Sequence, residues 1–293
     1  MLPAQVIDLL RAAFAGQPIA DVTATSGGFS NITAIATIGA ERCAIKAAAI
    51  GLKRADLRRE ARALTLLASS GLPIPMLVAL LEDHAWTVVV SRFAAGEQGL
   101  AVLARAPERL GSLYHELGQL LAALHRTPIT TIDSELLLAE RARLLLDLLP
   151  TLPIEADLRA ALVASLRHPI WRSNHMSLVH GDAGLHNLLW DGRVTALLDW
   201  EWAGYGPPLI DLAWLYWTIR WRELGPAVWE SFLAGYGRGP ALASPGSPAA
   251  LRALALGQIA GILARVLEQP DAWHEWLRRL RWTLGLAFPG ISK

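Results

Sequence analysis

Cysteine and lysine are the scarce residues of this sequence, and each scarcity excludes something. The one cysteine, Cys43, forms no internal disulfide, and in an alternating apolar stretch it reads as a small core residue rather than a nucleophile. A disulfide scaffold is therefore excluded, and a reducing cytoplasm is the expected compartment. Lysine occurs only at positions 46, 53 and 293, against 24 arginines, so a lysine inside an apolar strand calls for a specific partner. A formal net charge of +1 with mixed signs provides no one-signed field, so neither nucleic acid nor an anionic membrane is expected as the main partner. The N-terminal segment carries Asp8 and Arg11 and lacks a basic start followed by an unbroken apolar run, so it does not read as a secretory signal. Although 53% of the residues are apolar, no stretch of about twenty lacks charges or strong breakers, and no membrane span is expected. The apolar excess is assigned to cores, and 293 residues suffice for two lobes with a core each.

The first third alternates between strand and helix periods. Val6, Ile7, Leu9, Leu10, Ala13 and Phe14 form one helical face. Asp21 to Thr25 and Ile32 to Ile38 read as a hairpin with a Ser-Gly-Gly-Phe-Ser-Asn tip, and Cys43 to Ala47 as a third strand. Ala55 to Ser70 reads as an amphipathic helix stopped by Gly71 and Pro73, followed by strands Met76 to Leu81 and Trp86 to Val90. The expected fold is α+β: an antiparallel-sheet lobe over residues 1–90 with one main helix, a hinge at 91–97, and a larger, mostly helical lobe over 98–293. Leu113, Leu117, Leu120 and Leu124 show the helical period of that second part. Gly235 to Pro248 reads as an exposed loop.

Within the helical part, Leu188 to Trp190 and Val194 to Leu198 flank Asp191-Gly192, a strong hairpin signal. A two-residue turn pairs Trp190 with Arg193 and sets Asn187 opposite Ala196, so Asn187 and Asp199 emerge at one open end with backbones about 10 Å apart or less. An amide oxygen and a carboxylate there are hard donors of the type magnesium prefers beside phosphate oxygens and water. Asp182, on the preceding His180-Gly181-Asp182 loop, is placed to take the proton of an attacking hydroxyl. The bland reading makes these residues turn formers and caps. Their concentration at the mouth of one hairpin favours a reaction site. A zinc hydrolase built on His175, His180 and His186 is the weaker rival, because the three follow no spacing that would focus them on one ion.

A second signal comes from the first lobe. On the helix after Lys53, Glu60 shares a seam with Leu57, Leu64 and Leu67, whereas Arg58, Arg59 and Arg62 project elsewhere. A carboxylate facing a core needs a cation, and Lys46 in the upstream apolar strand is the candidate. The Ser26-Gly27-Gly28 turn, further upstream, lets backbone amides approach phosphate closely because glycine has no side chain in the way.

Taken in order, the glycine-containing hairpin, Lys46, Glu60, His180-Gly181-Asp182-x4-Asn187, Asp199-Trp200-Glu201 and Pro207-Pro208-Leu209-Ile210-Asp211-Leu212-Ala213 resemble the aminoglycoside phosphotransferase and choline kinase family. The resemblance implies a two-lobed protein-kinase-like fold with ATP, or in some members GTP, between the lobes. It implies that Ser26, Gly27, Gly28 and Lys46 attend the phosphates and that Glu60 orients Lys46. Asp182 would be the catalytic base, Asn187 and Asp199 would bind Mg2+, and Glu201 would assist at the metal. Asp211 is similar to the family's buried aspartate that fixes the catalytic loop, and His180 to a loop-shaping residue. The chain departs from many relatives at Ala183 to His186, where a proline often occurs.

The implied activity is phosphorylation of a small-molecule hydroxyl, as by an aminoglycoside phosphotransferase or by a choline or homoserine kinase. A catalytically silent nucleotide-binding protein of the same fold is the alternative, and the presence of every phosphate-handling residue type argues against it. After Gly206 six acids stand against nine Arg and Lys, so a strongly acidic pocket for a polycationic acceptor is not expected. The many tryptophans from Trp200 onward read mainly as packing, with a few available as an aromatic wall.

Overall fold

The computed structural model describes residues 2–25, 32–49, 51–128, 132–237 and 248–290. The candidate turn residues Ser26, Gly27 and Gly28 lie outside the described residues, as does most of the Gly235 to Pro248 loop. Two compact units are present, Met1–Val102 with Leu185–Ala203, and Leu103–Gly184 with Gly204–Lys293. Sequence reading put 185–203 in the helical lobe, whereas the segment packs with the first unit.

The first unit is built on a five-stranded antiparallel sheet of order β1-β2-β3-β5-β4, comprising β1 (Ile19–Ala24), β2 (Ile32–Ile38), β3 (Glu41–Ala48), β4 (Leu77–Glu82) and β5 (Thr87–Arg92). Side chains alternate along a strand, so each strand serves two faces. Cys43, Ile45 and Ala47 of β3 join Ala34, Ala36 and Ile38 of β2 on one face, where Leu2 and the helix α1 (Ala4–Ala13), through Val6 and Leu10, cover them. The other parity brings Ala48 and Val89 against Leu57 and Ala61 of helix α2 (Gly51–Leu67). Lys46 has that second parity and pairs with Val89 across the ladder, so its side chain leaves β3 on the α2 face. Leu57, Leu64 and Leu67 are fully buried along α2, each contributing roughly 2 kcal/mol of apolar burial.

A second sheet of this unit has the order β6-β8-β9, with β6 (Glu97–Gln98), β8 (Leu188–Trp190) and β9 (Val194–Leu197). It explains why 185–203 joins the first unit. Beta6 pairs with β8, Thr195 donates to the Ala95 carbonyl at 2.7 Å, and the Leu197 amide donates to the Pro73 carbonyl at 2.8 Å. Gly96 has φ 142°, and a Cβ there would sit 2.6 Å from Thr195 Oγ1, so the connector approaches the hairpin this closely only through glycine.

The second unit is mostly helical, with a two-stranded ribbon of β7 (Ser177–Val179) and β10 (Gly204–Gly206). Its helices are α4 (Leu110–Arg126), α5 (Leu138–Leu148), α6 (Ala156–Leu166), α7 (Leu209–Trp221), α8 (Pro226–Tyr236), α9 (Pro248–Val266) and α10 (Pro270–Gly285), with the short α3 (Gly99–Arg105) at the boundary of the units. By length and composition α9 is apolar enough to cross a membrane, but it is largely buried and packs against α6, α7 and α10 as a core helix. Helix α7 is apolar all round, with ten of its residues buried, as befits a central helix. The antiparallel-sheet lobe and the helical lobe agree with the α+β, protein-kinase-like fold class expected from sequence.

Candidate active site

The first unit brings two of the candidate carboxylates, Glu60 and Asp199, onto one cation, Lys46. Lys46 Nζ lies 2.8 Å from each Glu60 carboxylate oxygen and 3.0 Å from Asp199 Oδ1. Burial opposes the charge on Lys46, but Asp199 and Glu60 more than offset it and hold the ammonium protonated well above the ordinary lysine range. Glu60 is 3% exposed and comes from the α2 seam as expected. The Asp199 contact was not anticipated. It follows from Asp199 lying two residues past the end of β9, directly before the turn Trp200–Trp202 that packs on α2.

The hairpin that carries Asn187 and Asp199 departs from the expected register. The turn has three residues, Asp191 to Arg193, closed by the Asp191 amide donating to the Arg193 carbonyl at 2.9 Å, with Gly192 at φ 73°. Trp190 therefore pairs with Val194, and an extra residue at Thr195 makes a bulge before Leu189 pairs with Ala196 and Leu188 with Leu197. These two slips put Asn187 opposite Leu198, not Ala196, and the Leu198 amide donates to the Asn187 carbonyl at 2.7 Å. Asn187 and Asp199 thus stand nearer to each other along the ladder than a two-residue turn would allow. Asp199 itself has φ 64° and ψ 72°, a left-handed conformation that Asp tolerates better than most side chains.

Glu201 is buried in the short helical turn Trp200–Trp202. Burial, followed by the charges of Asp199 and Asp56, pushes its carboxyl up to about 8. Arg59 anchors this turn by donating to the Glu201 carbonyl at 3.1 Å and to Asp56 at 2.7 Å. Among the described residues no three His, Cys, Asp or Glu side chains form a metal nest. The donor chemistry nonetheless fits magnesium. Asn187 and Asp199 offer hard oxygens, anionic groups crowd one another around them, and an Mg2+ ion usually completes its shell with water and substrate phosphate.

The second unit builds the loop that carries Asp182. Gly181 has φ 81°, which permits the sharp bend after β7. Asp211, fully buried at the start of α7, accepts the His180 amide at 2.9 Å and the Gly181 amide at 2.6 Å. His125 Nε2 lies 2.9 Å from the same carboxylate, and its Nδ1 lies 2.7 Å from the Tyr236 hydroxyl. Burial alone would raise the Asp211 pKa, but the hydrogen bond and charge of His125, with His180, hold it below the ordinary carboxylate range. Gln258 of α9 donates to the Gly181 carbonyl at 2.6 Å. The fully buried His180 ring accepts the Asp182 amide through Nδ1 at 3.2 Å, which commits it to shaping the loop, not to a zinc site. Asp182 is half-buried, and the Trp214 indole donates to its Oδ1 at 2.7 Å.

His125, Tyr236, Trp214 and Gln258 were not singled out by sequence as parts of this loop. Two of them leave a trace there: Trp214 lies one helical turn after Asp211, and Gln258 is a lone uncharged polar residue inside a long apolar helix.

A model of the phosphotransferase enzyme family matches residues 21–254. Among solved structures, a thermostable mutant of aminoglycoside phosphotransferase APH(4)-Ia, in ternary complex with ADP and hygromycin B, superimposes with a TM-score of 0.70 at 20% identity, covering 96% of this chain and 98% of that one. Aminoglycoside-3'-phosphotransferase of type VIII gives a TM-score of 0.65 at 23% identity over 87% of this chain and 98% of that one. At these identities the likeness is one of fold. Among curated proteins, acyl-CoA dehydrogenase family member 10 of Mus musculus is 26% identical over 181 residues, which is 54% of this chain but only 16% of the mouse protein.

Proposed function

This chain belongs to the phosphotransferase enzyme family, and we propose that it transfers the γ-phosphoryl group of ATP or GTP to a hydroxyl of a small molecule. The observation that carries the proposal is the Lys46 ammonium held between Glu60 and Asp199. A lysine protonated and fixed by two carboxylates is suited to engage nucleotide phosphates, with Glu60 setting its direction. Asn187 and Asp199 are the proposed ligands of Mg2+, with Glu201 in support. When bound, the ion would neutralise charge on the phosphates.

Asp182 is the proposed base. A bond forms between the acceptor oxygen and the γ-phosphorus while the bond from that phosphorus to the β,γ-bridging oxygen breaks, and the hydroxyl proton passes to the Asp182 carboxylate. Phosphoryl transfer depends mainly on alignment. The Asp211, His125 and Gln258 contacts to the loop supply that rigidity on the protein side.

The nearby solved structure binds ADP and hygromycin B, which supports a nucleotide and a small hydroxyl-bearing acceptor here. The shortage of acids after Gly206 favours an acceptor that is not polycationic. A cytoplasmic location belongs to the same proposal, supported by the lone buried cysteine. The test is to incubate the purified chain with Mg2+ and ATP or GTP against sugars, amino alcohols and antibiotics, and to read phosphorylated product by mass. Transfer to one acceptor class is expected. Absence of a phosphorylated product from every acceptor class, whatever the rate of hydrolysis by water, would defeat the assignment.

A further inference from the structure

Helix α7 grips the catalytic loop at two points one turn apart. Asp211 holds the backbone amides of His180 and Gly181. Three residues on, and so on the same helix face, Trp214 holds the side chain of Asp182 through its Nε1–H. The indole is 4% exposed and has little freedom to turn. Its ring stacks on Trp217 at 4.7 Å and 4°, and on Trp276 at 6.2 Å and 16°. A buried indole N–H needs an acceptor, and here the acceptor is the carboxylate assigned as the base.

We infer that Trp214 is a positioning residue for phosphoryl transfer, fixing the rotation of the Asp182 carboxylate so that it meets the acceptor hydroxyl in the orientation for proton removal. The terminal torsion of an aspartate is broad and roughly two-fold, so packing around Cβ does not set it. A hydrogen bond of 2.7 Å from a locked ring does. The bond formed and the bond broken are those of the phosphoryl transfer described above, and Trp214 itself exchanges no proton. The inference rests on the phosphotransferase reading.

The test uses the full chain with two readouts. In the first, the chain is labelled with 15N, and Trp214→Phe identifies which of the twelve indole signals belongs to Trp214. That signal is expected to move upfield in Asp182→Asn, where a neutral amide replaces the charged acceptor. In the second, MgATP turnover is measured with water as acceptor. Trp214→Phe, which keeps an aromatic ring but loses the donor, is expected to lower kcat about tenfold with KM for MgATP unchanged within about twofold. Trp214→His, which restores a ring N–H, is expected to recover part of the rate. An indole signal indifferent to Asp182→Asn, or a Trp214→Phe variant with wild-type kcat, overturns the positioning role alone. A wild type silent toward MgATP with every hydroxyl acceptor overturns the phosphotransferase reading and the positioning role together.

Discussion

Lys46 Nζ lies 3.0 Å from Asp199 Oδ1 while also 2.8 Å from both oxygens of Glu60, so one ammonium joins strand β3, helix α2 and the segment that follows β9. Removing that cation leaves the buried Glu60 carboxylate uncompensated. Lys46→Met is expected to destabilise the fold by about 3 kcal/mol and to abolish transfer. Adding Glu60→Gln to that variant should restore most of the stability in urea titrations and none of the activity. Full stability of the single variant would mean that the ion pair is not a structural bond.

The left-handed backbone at Asp199 allows structure and function to be separated. Asparagine tolerates that conformation nearly as well as aspartate, whereas alanine costs roughly 1 kcal/mol more. Asp199→Asn is expected to melt close to wild type, Asp199→Ala somewhat lower, and both to lose magnesium-dependent turnover by at least about a hundredfold. Near-normal turnover of Asp199→Asn at saturating magnesium would remove the carboxylate from the mechanism.

Much of the first unit was legible because its signals are local. Strand β2 runs from Ile32 to Ile38, as its alternation indicates, and Glu60 faces the core because it shares the seam of Leu57, Leu64 and Leu67. The Lys46–Glu60 pair followed from scarcity, since a buried carboxylate had one plausible cation. The hairpin register was not legible. A dipeptide of the Asp-Gly type fixes that a turn occurs, but the third turn residue and the bulge at Thr195 depend on how β8 is pulled onto β6 and the Ala95 carbonyl. The clamp on the Asp182 loop was hidden for a similar reason. His125, Gln258 and Trp214 come from three helices, and the sequence does not show which helices pack around residues 180–182.

Asp211 supplies the pH dependence. Its folded pKa lies below its ordinary value, so the group binds protons more weakly folded than unfolded. Its contribution to stability is therefore present above the ordinary value of 3.8 and is lost as pH falls through the folded value. Asp211→Asn, which keeps one acceptor oxygen and loses the other, is expected to cost about 2 kcal/mol at neutral pH. Urea titrations between about pH 5 and about pH 3 should show the gap between wild type and variant narrowing as acid is added. A gap that widens in acid would reverse the assigned sign.

Asp182 is the residue on which binding and chemistry should part. Its place is set by three features that do not depend on its charge: the left-handed Gly181, the His180 ring accepting its amide, and the anchoring of residues 180 and 181 by Asp211. Asp182→Asn retains the size of the side chain and an oxygen able to accept from the Trp214 indole, so the loop should hold its shape. Only the carboxylate proposed as the base is lost. The variant is expected to bind MgATP with affinity within about twofold of wild type, while phosphoryl transfer falls by about a hundredfold or more. Nucleotide affinity is read by calorimetry and transfer by product mass, so the two quantities come from separate measurements. A parallel loss of both would make Asp182 part of the nucleotide site, and retention of both would show that the acceptor proton leaves by another route.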